Sequence, residues 1–293
     1  MRKNFLQDEI LLYLRCPICK MNLMYKDHYL ICINCNHKYE FKNEIPILID
    51  KISPYNEGQI QYFDEYSKDG PIFTAWMDSY LKRFFENLNP KKGNVVLDIA
   101  TGDGYMAIEL AKRGFKVIAL DLSLAMLLKL KEKVKRLGIE SKVLLVCADA
   151  TFLPIKNKIA DIVTANAILE HLPEEKEAIK EIERVTKYGA GLMVATPLAY
   201  RYIWPFFIPI NFYHDKKIGH LRRYTRKKLE ERFINWKTIN VFYTGHLLKV
   251  LLFILAYIFR FRSLDKTAEK VDNLFKNIPY GASNITIFFR KYN

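Results

Sequence analysis

From residue 94 the chain alternates between short apolar runs and segments whose apolar residues recur at helical spacing. "NVVLDIA" (94–100), "KVIALDLS" (116–123), "KVLLVCADA" (142–150), "ADIVTANAIL" (160–169) and "AGLMVATP" (190–197) are apolar almost throughout. That is the pattern of parallel strands buried on both faces. Between them, "GYMAIELAKRG" (104–114), "LAMLLKLKEKVKRLG" (124–138) and "KEAIKEIERVTK" (176–187) have helical period, and Gly114 and Gly138 suit helix C-caps. Strand–helix alternation of this kind predicts a doubly wound α/β domain with its ligands beyond the carboxyl ends of the strands. Further on, "TRKKLEERF" (225–233) predicts a helix. "WKTINVFYTG" (236–245) and "SNITIFFRKY" (283–292) predict strands six and seven.

The first fifty residues follow a different rhythm. "MNLMYKDHYLI" (21–31) alternates and turns like a hairpin, and "HKYEFKNEIPILI" (37–49) reads as another strand with a turn at Pro46. Four cysteines frame this stretch: Cys16 and Cys19, then twelve residues, then Cys32 and Cys35. Two Cys-x-x-Cys knuckles bring four thiolates to one tetrahedral ion, and zinc prefers that shell. His28 and His37 lie nearby, but four sulfurs already fill it. The N-terminal residues contain no long apolar segment, so no signal peptide is expected; the setting is then cytoplasmic and reducing, which disfavours disulfides. A segment this short builds little core, so the metal supplies most of its folding energy. Residues 10–50 resemble the zinc-ribbon family that includes the small activator subunit of tRNA and protein methyltransferases; the knuckles and "EIPILI" carry the likeness. The expected division is a zinc ribbon over 1–50, a linker and helix over 51–75 punctuated by Pro54, Gly58, Gly70 and Pro71, and the α/β domain over 76–293.

The chemistry concentrates in "VVLDIATGDGY" (95–105). Gly102, Gly104 and Ala107 formally fit G-x-G-x-x-A, a weak dinucleotide signal on its own. A pyrophosphate would sit at the helix N-terminus. Asp103 and Asp98 would place negative charge there, and like charges about 4 Å apart repel by several kcal/mol at intermediate dielectric. The loop therefore suits a cation better than a phosphate.

Here the chain resembles the class I S-adenosylmethionine-dependent methyltransferases of the type 11-like group, over most of residues 75–293. "VLDIATGDGY" resembles the first motif of that family, "VIALD" its second acid, "CADATFLP" its third motif and "DIVTANAILEHL" its fourth. The resemblance implies a seven-stranded Rossmann-like sheet and S-adenosylmethionine as cofactor. It implies that Asp98 holds the methionine ammonium and that Gly102 and Gly104 let the backbone approach. Asp121, with Leu122 after it, would accept the ribose hydroxyls; a helix N-cap is its alternative, which Ser123 can supply instead. Asp149 would receive the adenine amino group beside Ala150, and Asn166 and Ala167 would line the cofactor near its methyl group. Ala100 stands where the family has its first glycine, a change that adds little bulk.

Methyl transfer is an in-line displacement that mainly needs alignment, with a general base only where the acceptor carries a proton. Candidate catalytic residues are His171, after the fourth motif, and His220 and Tyr224 in "GHLRRYT". With Arg222 and Arg223 they could bind an anionic acceptor; equally, His220 and Tyr224 could brace the loop. Cys147 reads as buried and inert. Residues 200–214, "YRYIWPFFIPINFYH", and the apolar helix of 247–262 suggest a small-molecule or lipid-like acceptor, or contact with a membrane surface. The uncharged run Val250–Phe259 is too short to span a bilayer, which takes roughly 20 residues. Composition adds a rival. The 293 residues carry a formal charge of +14 and a pI near 9.4. With the ribbon and the basic run "KLKEKVKR", that charge also suits an RNA methyltransferase. A non-catalytic partner protein using the ribbon for docking is the reading of another class. A monomer or a homodimer is expected.

Overall fold

The computed structural model describes residues 9–66, 75–259 and 263–292. Strands β1 (Leu23–Lys26), β2 (Tyr29–Cys32) and β3 (Lys38–Tyr39) form a three-stranded antiparallel sheet. Asp27 and His28 both have positive φ, so the β1–β2 connection has the twist that a two-residue hairpin favours. Asn43 and Glu44 do the same between β4 (Phe41–Lys42) and β5 (Ile45–Leu48). Helix α1 (Pro54–Tyr66) and helix α2 (Ala75–Leu88) follow. Then come β6 (Val95–Ile99), α3 (Tyr105–Lys112), β7 (Lys116–Asp121), α4 (Leu124–Arg136), β8 (Val143–Ala148), β9 (Ala160–Asn166), α5 (Glu175–Val185) and β10 (Thr186–Pro197). The chain closes with α6 (Ile208–Ile218), α7 (Arg226–Arg232), β11 (Trp236–Thr244), α8 (Leu247–Phe259), α9 (Ser263–Leu274) and β12 (Asn284–Lys291).

These elements fall into two compact units. The first comprises residues 1–69, 91–164 and 174–190. Its strands run in the order β9-β6-β7-β8-β5-β4; β6, β7, β8 and β5 are parallel to one another, and β4 pairs antiparallel with β5. Every residue of β8 is buried, as the apolar runs require when helices cover both faces. Leu110, Leu127 and Leu130 on α3 and α4 are fully buried.

One feature differs from the sequence expectation. In this unit β5 and β4 extend the sheet beyond β8: Ile47 and Leu48 pair in parallel with Cys147 and Ala148, and β4 pairs with β5. The N-terminal segment is also stitched to this unit by Leu14 bridging Ile155, by the Arg15 N–H to the Pro154 carbonyl (2.9 Å) and by Lys20 on Glu181 (2.8 Å). Within the stretch expected to hold a linker and a helix, residues 54–66 are helical. Pro54 opens the helix with its φ already set, and Ser53 caps it by accepting from the Asn56 N–H (3.1 Å). Gly70 and Pro71 lie outside the described residues.

The second unit comprises residues 70–90, 165–173 and 191–293. In it β12 lies between β10 and β11, antiparallel to both. Here Phe233, Phe288 and Phe289 are fully buried. The two apolar stretches singled out in the sequence are not core throughout. Phe206, Ile210, Phe212 and Tyr213 are at least half exposed, and Leu248, Leu251 and Leu255 form an exposed row on α8.

Candidate functional site

In the first unit, β6 ends beside a tight loop that leads into α3. Asp98 is 4% exposed. Its carboxylate accepts from the Thr101 hydroxyl (2.7 Å) and the Thr164 hydroxyl (2.5 Å), and from the Ala107 backbone in the first turn of α3. Burial nevertheless holds its pKa above the usual carboxylate range. Gly102 has φ +54, and a Cβ there would meet nothing within 4 Å, so the backbone borders open space. Gly104 has φ +80, and a Cβ would lie 2.1 Å from the buried Leu130 side chain, so glycine is required twice over. Ala100 has φ +56. Its departure from glycine is therefore conformational rather than one of bulk, a strain of order 1–2 kcal/mol stored in the loop.

Asp121 ends β7 and faces this loop. It accepts from the Gly102 N–H (2.8 Å) and the Ser123 N–H (2.9 Å). Ser123, not Asp121, caps α4, accepting from the Met126 N–H. Burial pushes the Asp121 carboxyl up to about 6. Neither Asp98 nor Asp121 is paired with a cation among the described residues; Asp103 is, with Lys133 at 3.1 Å. Leu122 lies half-buried in the turn after β7. Asp149 caps the short turn that begins at Ala150, accepting from the Thr151 N–H and hydroxyl. Its other oxygen accepts from the Asn56 amide (3.0 Å), and Asp64 meets the Ser123 hydroxyl. Helix α1 thus overlies the loops after β7 and β8, and with α4 it frames a groove of about 570 Å³. The sequence gives one signal for this helix, Ser53 followed by Pro54.

In the second unit, Asn166 has a buried Oδ1 with no hydrogen-bond partner. Ala167 sits at φ +51 and donates its N–H to the Ala195 carbonyl. His171 and His220 come together with ring centroids 4.7 Å apart. Asp215 organises this end: it accepts from His220 Nδ1 (2.8 Å), from Arg223 and from the Tyr200 hydroxyl. The Gly219 αL turn after α6 makes that reach possible. Burial pushes His171 down to about 4 and lowers His220, so both rings are neutral at pH 7. Glu170, missed by the sequence reading although it adjoins His171, is 1% exposed and is pushed up to about 8 by burial. Tyr224 is fully buried, and its hydroxyl donates to the Leu169 carbonyl (3.2 Å); that geometry braces the loop.

The four cysteines of the N-terminal segment have their sulfurs within 4.8 Å of one another, with Cys16–Cys35 and Cys19–Cys35 at 3.7 Å and Cys19–Cys32 at 3.3 Å. Sulfurs on a tetrahedral zinc at 2.3 Å are about 3.8 Å apart. The Asn34 and Cys35 N–H groups point at the Cys32 sulfur, and the Tyr39 hydroxyl lies 3.2 Å from that of Cys16. The donor set and its surroundings fit a thiolate-bound metal.

Residues 96–189 match the family model of a methyltransferase domain. Curated relatives include a demethylmenaquinone methyltransferase of Corynebacterium urealyticum, 36% identical over 39% of this chain and 46% of that protein. Another, of Mycobacterium marinum, is 33% identical over 46% of this chain and 56% of that protein. The chain spans about half the length of the curated relatives it matches. Among solved structures, geranyl diphosphate C-methyltransferase from Streptomyces coelicolor A3(2) superposes with TM-score 0.61 at 12% identity, covering 82% of this chain and 100% of that one. Haemonchus contortus phosphoethanolamine N-methyltransferase 2 gives 0.58 at 17%, covering 84% of this chain and 61% of that one. The fold is the α/β Rossmann-like methyltransferase fold.

Proposed function

We propose that this protein transfers the methyl group of S-adenosylmethionine to a small, lipid-like acceptor. One observation carries the reading: beside the glycine loop of a methyltransferase fold, two carboxylates, the buried Asp98 and the half-buried Asp121, lack a cationic partner among the described residues. A cofactor with an ammonium and no phosphate suits that charge. Asp98 would hold the ammonium, Asp121 the ribose, and Gly102 and Gly104 the approach of the backbone. Asp149 and Ala150 would flank the adenine, with Asn56 fixing Asp149. Asn166 and Ala167 would serve near the methyl group. Bound there, S-adenosylmethionine supplies an electrophilic methyl carbon on a sulfonium. The chain's contribution is alignment and exclusion of water.

The acceptor class is drawn from two sources. One is what similar proteins are named for: demethylmenaquinone for the curated relatives and geranyl diphosphate for a protein of the same fold. The exposed apolar side chains at 206–213 and along α8 offer surface for such an acceptor or for the membrane that holds it. No helix among the described residues is long and apolar enough to cross a membrane. We further infer structural zinc on Cys16, Cys19, Cys32 and Cys35. His171 and His220 remain the candidate catalytic groups, and Tyr224 acts through the loop it braces.

The test is calorimetry with S-adenosylmethionine and S-adenosylhomocysteine, followed by transfer of labelled methyl to a bacterial lipid extract and, separately, to total RNA. Binding of both cofactor forms and label in the organic phase are expected. Label in RNA alone would establish the RNA reading, and absence of binding would leave a ribbon-bearing partner protein.

Cofactor affinity is also expected to depend on pH. Asp121 accepts ribose hydroxyls as the carboxylate, and its carboxyl titrates at about 6. Affinity at pH 5 should be about tenfold below that at pH 7. Stability runs the other way. A carboxyl whose pKa is raised by folding favours the folded state at low pH, and that contribution is lost between roughly pH 4 and 6 as pH rises. Thermal melts of the cofactor-free protein at the same pH values separate the two effects.

A further inference from the structure

We infer that Glu170, His171 and His220 form a second metal site, for a first-row divalent transition ion, distinct in chemistry from the four-cysteine cluster. One ligand atom from each of the three residues lies within 4.8 Å of the other two. His220 Nε2 is 3.8 Å from Glu170 Oε1, too far for a hydrogen bond. Two ligand atoms each about 2.1 Å from one ion stand roughly 3.4–4 Å apart, so the separation is that of atoms sharing an ion.

An independent observation points the same way. Glu170 Oε2 is buried with no hydrogen-bond partner, and Glu170 is 1% exposed. A carboxyl in that state carries the full penalty of desolvation unless something compensates it. A cation held with two imidazoles provides the compensation.

The surroundings are those of a prepared ligand set. His220 has its Nδ1 fixed by Asp215 at 2.8 Å, which leaves Nε2 facing the cluster. His171 is hydrogen-bonded to the Gly219 backbone. Metal-bound histidines are oriented by such carboxylate and carbonyl partners. The charge of Asp215 is matched by Arg223, whose guanidinium bonds it through Nε (2.5 Å) and through a terminal nitrogen (2.8 Å). The ion would therefore be balanced mainly by Glu170. Two imidazoles and one carboxylate suit zinc, iron(II), cobalt(II) or manganese(II), and three protein ligands leave room for an oxygen ligand from outside the protein. An ion of this kind binds and acidifies such an oxygen.

Cobalt(II) is the probe, added to protein whose ribbon is already zinc-loaded. Wild type is expected to take up one cobalt per chain, with visible d–d bands but without the intense near-ultraviolet charge transfer that thiolates give. The imidazole NMR signals of His171 and His220 should broaden while that of His28 does not. Glu170→Gln and His220→Ala should each lower the affinity at least tenfold, and His214→Ala, beside the cluster, should not. Absence of cobalt uptake beyond the ribbon, a thiolate charge-transfer spectrum, or unbroadened His171 and His220 signals in wild type would overturn the inference, whatever the folding of the variants.

Discussion

Replacing Asp121 by alanine is expected to weaken S-adenosylmethionine binding about a hundredfold, with the fold intact. Hydrogen bonds to an ionised group contribute about 1.5–3 kcal/mol each, and a carboxylate that takes both ribose hydroxyls reaches the upper part of that range or beyond it. The side chain also accepts from the Gly102 N–H, so its loss releases the loop at the point where backbone must approach the ligand. One feature separates this loss from destabilisation: Ser123 caps α4 and is untouched. A cooperative thermal melt of the cofactor-free variant at pH 7 checks that the fold is kept. Asparagine keeps the shape but turns one oxygen into a donor that faces an N–H, so its affinity should fall between the two. Calorimetry decides: an alanine variant within threefold of wild type would mean that Asp121 does not touch the cofactor.

What the sequence made legible was set by local pattern. The βα repeats could be read because strands buried on both faces have no other way to look, and the helices between them keep a clean apolar stripe. The clustering of the four cysteines could be read because two Cys-x-x-Cys pairs bring their thiols to one place, and their sulfurs lie within 4.8 Å of one another. The pairing of β5 with β8 left no such mark. Ile45 and Leu48 are buried, but "EIPILI" looks the same whether it ends a free ribbon or extends a sheet. A helix was expected somewhere in 51–75, but Pro54 and Gly58, which also punctuate linkers, left its start unmarked; Pro54 stands at that start behind Ser53. At the glycine loop the first-motif departure at Ala100 was legible as a change in size, while its positive φ needed coordinates. His171 and His220 were each visible as candidates. Their contact, and the parts of Glu170 and Asp215 in it, depend on a glycine turn and on strand ends that bring distant residues together, which no periodicity records.

Removing the zinc that we propose Cys16, Cys19, Cys32 and Cys35 hold is expected to destabilise the whole first unit and to weaken cofactor binding with it. The apparent binding free energy of structural zinc, about 10–16 kcal/mol, is as large as the entire stability of an ordinary domain. Were the ribbon an appendage, its loss would stay local. In this fold Ile10, Leu14, Ile45 and Leu48 are buried, and β5 covers the edge of β8. Unfolding of residues 10–50 would uncover that edge and its apolar side chains. The consequence reaches the cofactor loops through a short connection: β5 leads into Ser53 and α1, and α1 carries the Asn56 that holds Asp149 and the Asp64 that meets Ser123. A variant with Cys19→Ser and Cys35→Ser, or wild type treated with a strong chelator, should therefore melt at least about 10 °C lower. The same samples should bind S-adenosylmethionine at least tenfold more weakly. If zinc content falls to zero while melting temperature and affinity stay within error of the wild type, then the sulfur cluster is not what holds this segment against the sheet.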